Sequence, residues 1–370
     1  MKRLMVVLGS LVAFILVSLA PGLSPTAIGA EKTWTLRFSS GFSASSHFGK
    51  ESKWYFDNIA QQSGGRIKVE YNFSGALCKL GEELNAMRAR SIDVACTTPP
   101  YFAPLVPLVD ALNMNYVTTS VDGHMKAAQE VYDNYAPLRD QFEKNNNAMI
   151  LWNPPVTNNT LWTTFPVPNI AALKGKKIRA LGRTGESLVA FGASPVGIVW
   201  GDIYDSVSKG IIQGAYGTPL SLGWDSKFFE VMKYVTQTGS GVFGSQVMLI
   251  RKDLYDEFPK DLQKLFHDWA RKAEDKSLEI VEEENRAAVD DMESKGIKLT
   301  IWSAAELAKA RSLVQPAQFD GWVKKMGERG LGKEAQTTKD MYVQALQKYE
   351  KGSKYTESFD YWNKKYKKGF

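Results

Sequence analysis

Three histidines, two cysteines and one glycine-rich hexapeptide are the residues of this 370-residue chain whose chemistry would be most distinctive. His47, His124 and His267 lie far apart, and no pair has a metal-ligand spacing. His124 and His267 fall on helical patterns. His47 falls in the Ser/Gly-rich loop after the first strand, where a side chain can meet a ligand. Gly239-Ser240-Gly241-Val242-Phe243-Gly244 matches the G-x-G-x-x-G dinucleotide fingerprint, which needs a strand before it and a helix after it. Here the strand-like run Ser245 to Ile250 follows, so the glycines read as a flexible crossing between two domains. No G-x-S-x-G elbow, P-loop or H-E-x-x-H occurs. The acidic groups Glu282-Glu283-Glu284 and Asp290-Asp291 belong to a solvated helix face. The residues therefore point to no enzyme, no resident metal and no cofactor. Cys78 and Cys96 leave two readings open: a disulfide that would contribute roughly 3 kcal/mol, or two small buried side chains that never meet.

The elements that must position any site alternate between strand and helix, the pattern of an α/β protein with mostly parallel strands. Strands are expected at Thr33–Ser39, Ile67–Phe73, Asp93–Thr97, Ala148–Trp152, Ile178–Leu181 and Val247–Ile250. Helices are expected from Lys53 to Gln62, closed by Gly64-Gly65, and through Met125 to Phe142. Two short ones follow at Glu186–Phe191 and Asp202–Lys209. Leu262, Phe266, Trp269, Ala273, Ile280, Ala288 and Met292 mark one helix from about 260 to 294, long enough to brace two domains.

Length agrees with two domains, because single cores stop growing at roughly 250–300 residues. With 44% hydrophobic and 23% charged residues the chain buries a sizeable core. Its N-terminus reads as an export signal: Lys2 and Arg3, an uncharged apolar run from Leu4 to Ala20, then small residues ending at Ala30. Cleavage after Ala30 would remove two basic residues, leaving 44 basic against 40 acidic, a net charge of +4. That is far from the basic stripe of a nucleic-acid-binding protein, and no nucleic-acid partner is expected.

The block from Leu173 to Leu222 carries a resemblance. It contains Leu173-Lys174-Gly175, Lys177-Ile178-Arg179, Gly192-Ala193-Ser194-Pro195-Val196 and Trp200-Gly201-Asp202-Ile203-Tyr204, and it closes on Gly210-Ile211-Ile212-Gln213-Gly214. Upstream are Ser63-Gly64-Gly65-Arg66-Ile67, Gly75-Ala76-Leu77 and Ser91-Ile92-Asp93-Val94-Ala95; downstream is Pro259-Lys260-Asp261-Leu262. In this order they resemble the solute-binding subunit of tripartite ATP-independent periplasmic (TRAP) transporters, the DctP-like family. The resemblance covers nearly the whole chain after residue 30.

It implies a two-lobed periplasmic-binding-protein clamshell with mixed, mostly parallel sheets and a long helix bracing both lobes. Residues 31–150 with about 243–285 would form the first lobe, and 151–242 with about 286–370 the second. The implied function is a periplasmic receptor that captures a small organic acid, carboxylate or sulfonate, and delivers it to membrane permease subunits. The arginine of Lys-Ile-Arg carries over as the carboxylate ligand, here Arg179, with Arg183 as a competitor four residues on. A guanidinium at a buried strand end suits the role, since its planar fork holds a carboxylate at two points. The departures Gln213, Trp200 and Tyr216-Gly217-Thr218 remove polar groups that would hold a second carboxylate, and let Trp200 and Tyr216 narrow the cleft. Further lining is expected from loops at strand ends: Ser46 and His47, Thr98 and Tyr101, and Asn153. Two other classes stay open, the binding protein of an ATP-driven importer and a periplasmic enzyme on a similar scaffold.

Overall fold

Trp34–Ser40 alternates buried and exposed side chains at its start and is buried throughout at its end, as a strand does when it runs into the middle of a covered sheet. The computed structural model describes residues 32–353 and 355–366, and the expected signal peptide lies outside them. The described residues contain β1 (Trp34–Ser40), β2 (Ile67–Asn72), β3 (Val94–Thr97), β4 (Ala148–Trp152), β5 (Asn159–Thr163), β6 (Lys177–Arg179), β7 (Ser194–Val196), β8 (Gly214–Pro219), β9 (Tyr234–Gln237), β10 (Val247–Arg251) and β11 (Lys298–Ile301). They form two mixed sheets, ordered β2-β1-β3-β10-β4 and β11-β9-β5-β8-β6-β7.

The chain passes from the first sheet to the second between β4 and β5, and back between β9 and β10. The strand that follows each of these two passages runs against its neighbours: β5 is antiparallel to β8 and β9, and β10 to β3 and β4; a third passage, from β10 to β11, leads to a strand parallel to β9. The remaining pairs are parallel. Along β10, Val247 and Leu249 enter one core cluster while Met248 and Ile250 enter another, so helices cover both faces of the first sheet.

Helix Lys260–Ser294 has the bounds its apolar period predicts. Its Leu262, Phe266, Ala270 and Ala273 pack with the first sheet's core, and Ala288, Val289 and Met292 with the second's. At 1.5 Å per residue it is long enough, about 50 Å, to brace both. The C-terminal helices divide. Trp322, Met326, Tyr342 and Leu346 pack against Leu108, Leu112 and Val131 beside the first sheet. Phe359 and Trp362 join the core of the second.

Two local expectations change. The single helix through Met125 and Phe142 is two, Val121–Asn134 and Ala136–Asn146, broken at Tyr135. The break places Pro137 in a first turn, where its missing N–H costs nothing. The first helix begins at His47 rather than Lys53, because Ser46 caps it by accepting the Gly49 N–H. The two sulfurs stay separate: Cys78 Sγ lies 3.4 Å from Ser39 Oγ, and Cys96 Sγ accepts from Gln246 Nε2.

The glycine-rich crossing is tied down by the backbone. Tyr116 N–H donates to Ser240 O, Val242 N–H to Thr118 O, and Asn159 N–H to Gly241 O. Gly241 holds φ +80°, and a Cβ there would lie 2.1 Å from Thr118 O. Gly241→Ala is expected to lower stability by about 2–5 kcal/mol in urea titration, from backbone strain plus overpacking. Gly244→Ala, with φ +87° but nothing within 4 Å, isolates the strain at about 1–2 kcal/mol. Equal losses at both positions would show that the close approach at Thr118 contributes nothing.

Candidate functional site

One cavity, of about 90 Å³, gathers side chains from the carboxyl ends of parallel strands in both sheets. Phe42 follows β1, Thr98 follows β3, Arg179 ends β6 and Trp200 follows β7. Ligand crevices of α/β sheets form at such ends. The volume is several times the ~10–15 Å³ that one water requires.

Arg179 is 4% exposed. Its Nε donates to Ile198 O at 2.9 Å and its Nη2 to the Tyr101 hydroxyl oxygen at 2.8 Å. The guanidinium lies 5.9 Å from the Trp200 ring centre. Burial pushes its pKa below the usual arginine value, and the neighbouring Tyr101 hydroxyl opposes that shift. No described carboxylate lies within ion-pair distance of it. Arg183 differs: its Nη1 pairs with Glu186 Oε2 at 2.7 Å. Asp110, also in the lining, has its pKa raised by burial, with Arg183 and Asn113 pulling it back down. Arg179 is thus the lining charge without a fixed counter-ion.

Polar contacts join the two sheets' elements around this cavity. The Ser43 and Ser45 hydroxyls, after β1, each donate to the Asp225 carboxylate at 2.7 Å, and Asp225 ends the helix that follows β8. The Phe42 and Trp200 rings meet edge-on at 6.4 Å, and Trp200 Nε1 donates to Ser226 Oγ.

Of the residues singled out from sequence, Thr98, Tyr101, Arg179 and Trp200 share this lining. Ser46, His47, Asn153 and Tyr216 are not part of it. Ser46 Oγ is engaged in capping its helix. His47 is fully buried beside Phe48, ring centres 4.1 Å apart, with Nδ1 3.3 Å from Ser221 Oγ. Asn153 Nδ2 donates to Gln129 Oε1 at 2.7 Å. Tyr216 packs with Leu161, Ile178 and Leu188, its hydroxyl 3.4 Å from that of Tyr116. A bulge causes this last displacement. Thr160 pairs with Thr218 and Leu161 with Tyr216, so Gly217, at φ +74°, is left unpaired and turns to the cavity instead.

Sequence reasoning passed over Phe42, Phe48, Asp110, Asn113, Asn159, Thr184, Phe243 and Gln246. Two of them carried a signal: Phe243 lies within the crossing hexapeptide, and Gln246 lies just past it.

The family model for bacterial extracellular solute-binding protein, family 7 (DctP), matches residues 38–322. The 2,3-diketo-L-gulonate-binding periplasmic protein YiaO of Escherichia coli is 23% identical over 256 residues, 67% of this chain and 75% of its own. The C4-dicarboxylate-binding periplasmic protein DctP of Rhodobacter capsulatus is 22% identical over 292 residues, 78% of this chain and 85% of its own. Among solved structures, a TRAP solute-binding protein from Rhodoferax ferrireducens in complex with copurified benzoate superposes with TM-score 0.78 at 21% identity. That match covers 86% of this chain and 99% of the other. With the model spanning both sheets and the cavity between them, the chain belongs to the DctP family of bacterial extracellular solute-binding proteins, as a DctP-like TRAP solute-binding protein.

Proposed function

We propose that this protein binds a small organic acid outside the cytoplasm and passes it to the membrane subunits of a TRAP permease, without transforming it. The observation that carries the reading is Arg179, a buried guanidinium in the wall of a cavity, with no described carboxylate beside it. A desolvated cation is costly until an anion pairs with it, so the site is complete only with an acid bound. The relatives support this: one binds 2,3-diketo-L-gulonate, another C4-dicarboxylates, and a structural neighbour holds benzoate. The N-terminal 30 residues act as a signal peptide cleaved after Ala30, and the mature chain works in the periplasm. No helix among the described residues is long and apolar enough to cross a membrane.

The two sheets form the lobes, 31–150 with about 243–285 and 151–242 with about 286–370, except that the stretch from Trp322 to Leu346 packs with the first. Ligand closure is a population shift: an acid touching Arg179 on one lobe and Tyr101 on the other favours the closed form. A melting-point screen tests the reading. The cognate acid at 100 times its dissociation constant adds about 2.7 kcal/mol. Shifts with neutral sugars and none with any acid would overturn it.

A further inference from the structure

The charges on the cavity wall narrow the ligand further than an organic acid. Arg179, Arg183 and Asp110 are the basic and acidic side chains of its lining. Arg183 and Lys325 both pair with Glu186, and the nearby Asp110 supplies the second carboxyl for these two cations. That leaves one unmatched positive charge, at Arg179. A ligand with two carboxylates would bury a second one with no cation to meet it, a strongly unfavourable arrangement.

The polar lining is similarly committed. Thr98 Oγ1 donates to Ser245 O, Thr184 Oγ1 to Leu181 O, Asn159 Nδ2 to Phe243 O, and Gln246 Nε2 to Cys96 Sγ. A polyhydroxylated acid carries several oxygens that each want a donor once buried; both threonine hydroxyl protons are in use here, and each of the two amides keeps only one further N–H, too few for them. The rest of the wall is apolar, with Val156, Leu181 and Leu222 beside four aromatic rings. The Phe42 and Phe48 rings lie 4.9 Å apart, Trp200 meets Phe42, and Phe243 closes the crossing side. Faces and edges of this kind hold a flat ring.

We propose that the ligand is a monocarboxylate with a flat apolar body, an aryl carboxylic acid, its carboxylate on Arg179 and its ring among Phe42, Phe48, Trp200 and Phe243. The proposal rests on the acid-receptor reading of the same site. A cavity of about 90 Å³ is smaller than the ~150 Å³ void that takes benzene, so entry of the ring requires the wall to open. Tyr101 is the part that yields. Its hydroxyl accepts from the guanidinium, and the carboxylate takes that place.

Calorimetric titration of the full mature chain, unfolded and refolded to strip any copurified ligand, tests this with benzoate, phenylacetate, 3-hydroxybenzoate, D-glucuronate and succinate. At least one aryl acid is expected to bind tenfold or more tighter than glucuronate and succinate, and Trp200→Ala to weaken it about tenfold. If glucuronate or succinate binds tighter than all three aryl acids, the aryl class is overturned while the acid-receptor reading stands. Unchanged aryl affinity in Trp200→Ala overturns the placement of the ring. If none of the three aryl acids binds, the aryl class is overturned; if a neutral sugar binds and none of the five acids does, the acid-receptor reading falls with it.

Discussion

Arg179→Ala is expected to weaken binding of the cognate acid by about 30-fold to several thousand-fold, with stability within about 1 kcal/mol of wild type. Removing one partner of a buried, hydrogen-bonded charge pair costs 2–5 kcal/mol, and each 1.4 kcal/mol is tenfold in affinity. The small effect on stability follows from the unliganded site. The guanidinium's bonds to Ile198 O and Tyr101 are worth about 1.5–3 kcal/mol each, and its desolvation offsets them. Arg179→Lys keeps the charge but loses the fork, so its affinity should fall between wild type and Arg179→Ala. Calorimetric titration beside a urea melt checks all three proteins. An alanine variant that binds within threefold of wild type would remove Arg179 from the site. If that variant did not fold, the lysine variant would carry the same test.

The parts of this fold that were legible in the sequence are those whose burial pattern is long or unbroken. Helix Lys260–Ser294 shows one apolar face over 35 residues, and β4 is a continuous apolar run between a helix end and two prolines. The strand β8 could not be read this way. Gly214-Ala215-Tyr216-Gly217-Thr218-Pro219 has two glycines and a proline, and it is a strand because β5 and β6 flank it. The bulge at Gly217 then reverses which side chains reach the cavity, and no periodicity shows that in advance. His47 was misplaced for a smaller reason: Ser46 sits at the end of a serine-rich loop, and which of those serines caps the helix is decided by the turn it completes. Thr98 and Tyr101 were legible because they follow a strand, and Arg179 and Trp200 through the family pattern; all four line the cavity. The balance of Arg183 by Asp110 and Glu186 was hidden, since Asp110 comes from a distant turn beside the other sheet.

The same misplaced histidine carries the second large effect, on acid stability. Burial, with Lys50 nearby, pushes His47 down to about 3, and burial alone pushes His124 down to about 4, from an ordinary value of 6.5. The unfolded chain therefore takes up protons below pH 6.5 that the folded protein refuses until pH 3–4. Stability is fully present above pH 6.5 and is lost as pH falls through that window. For His47 the gap corresponds to at most about 5 kcal/mol, at 1.36 kcal/mol per pH unit. Buried and half-buried carboxyls act in the opposite sense, and burial raises Glu51, Asp110 and Glu284 above the ordinary value. Glu83, Glu274 and Glu357 are raised to about 7 by burial, so the folded state keeps protons that the unfolded chain releases above pH 4.5. Their contribution is present below pH 4.5 and lost as pH rises through 7. Removing one histidine separates the two. In urea titrations from pH 4 to 6.5, the slope of stability against pH should be lower in His47→Gln than in wild type, by up to 1.36 kcal/mol per pH unit. The comparison depends on slopes, so any packing cost of glutamine at the buried site shifts the whole curve and leaves the test intact. A His47→Gln slope equal to that of wild type would mean that His47 titrates alike in the folded and unfolded chains.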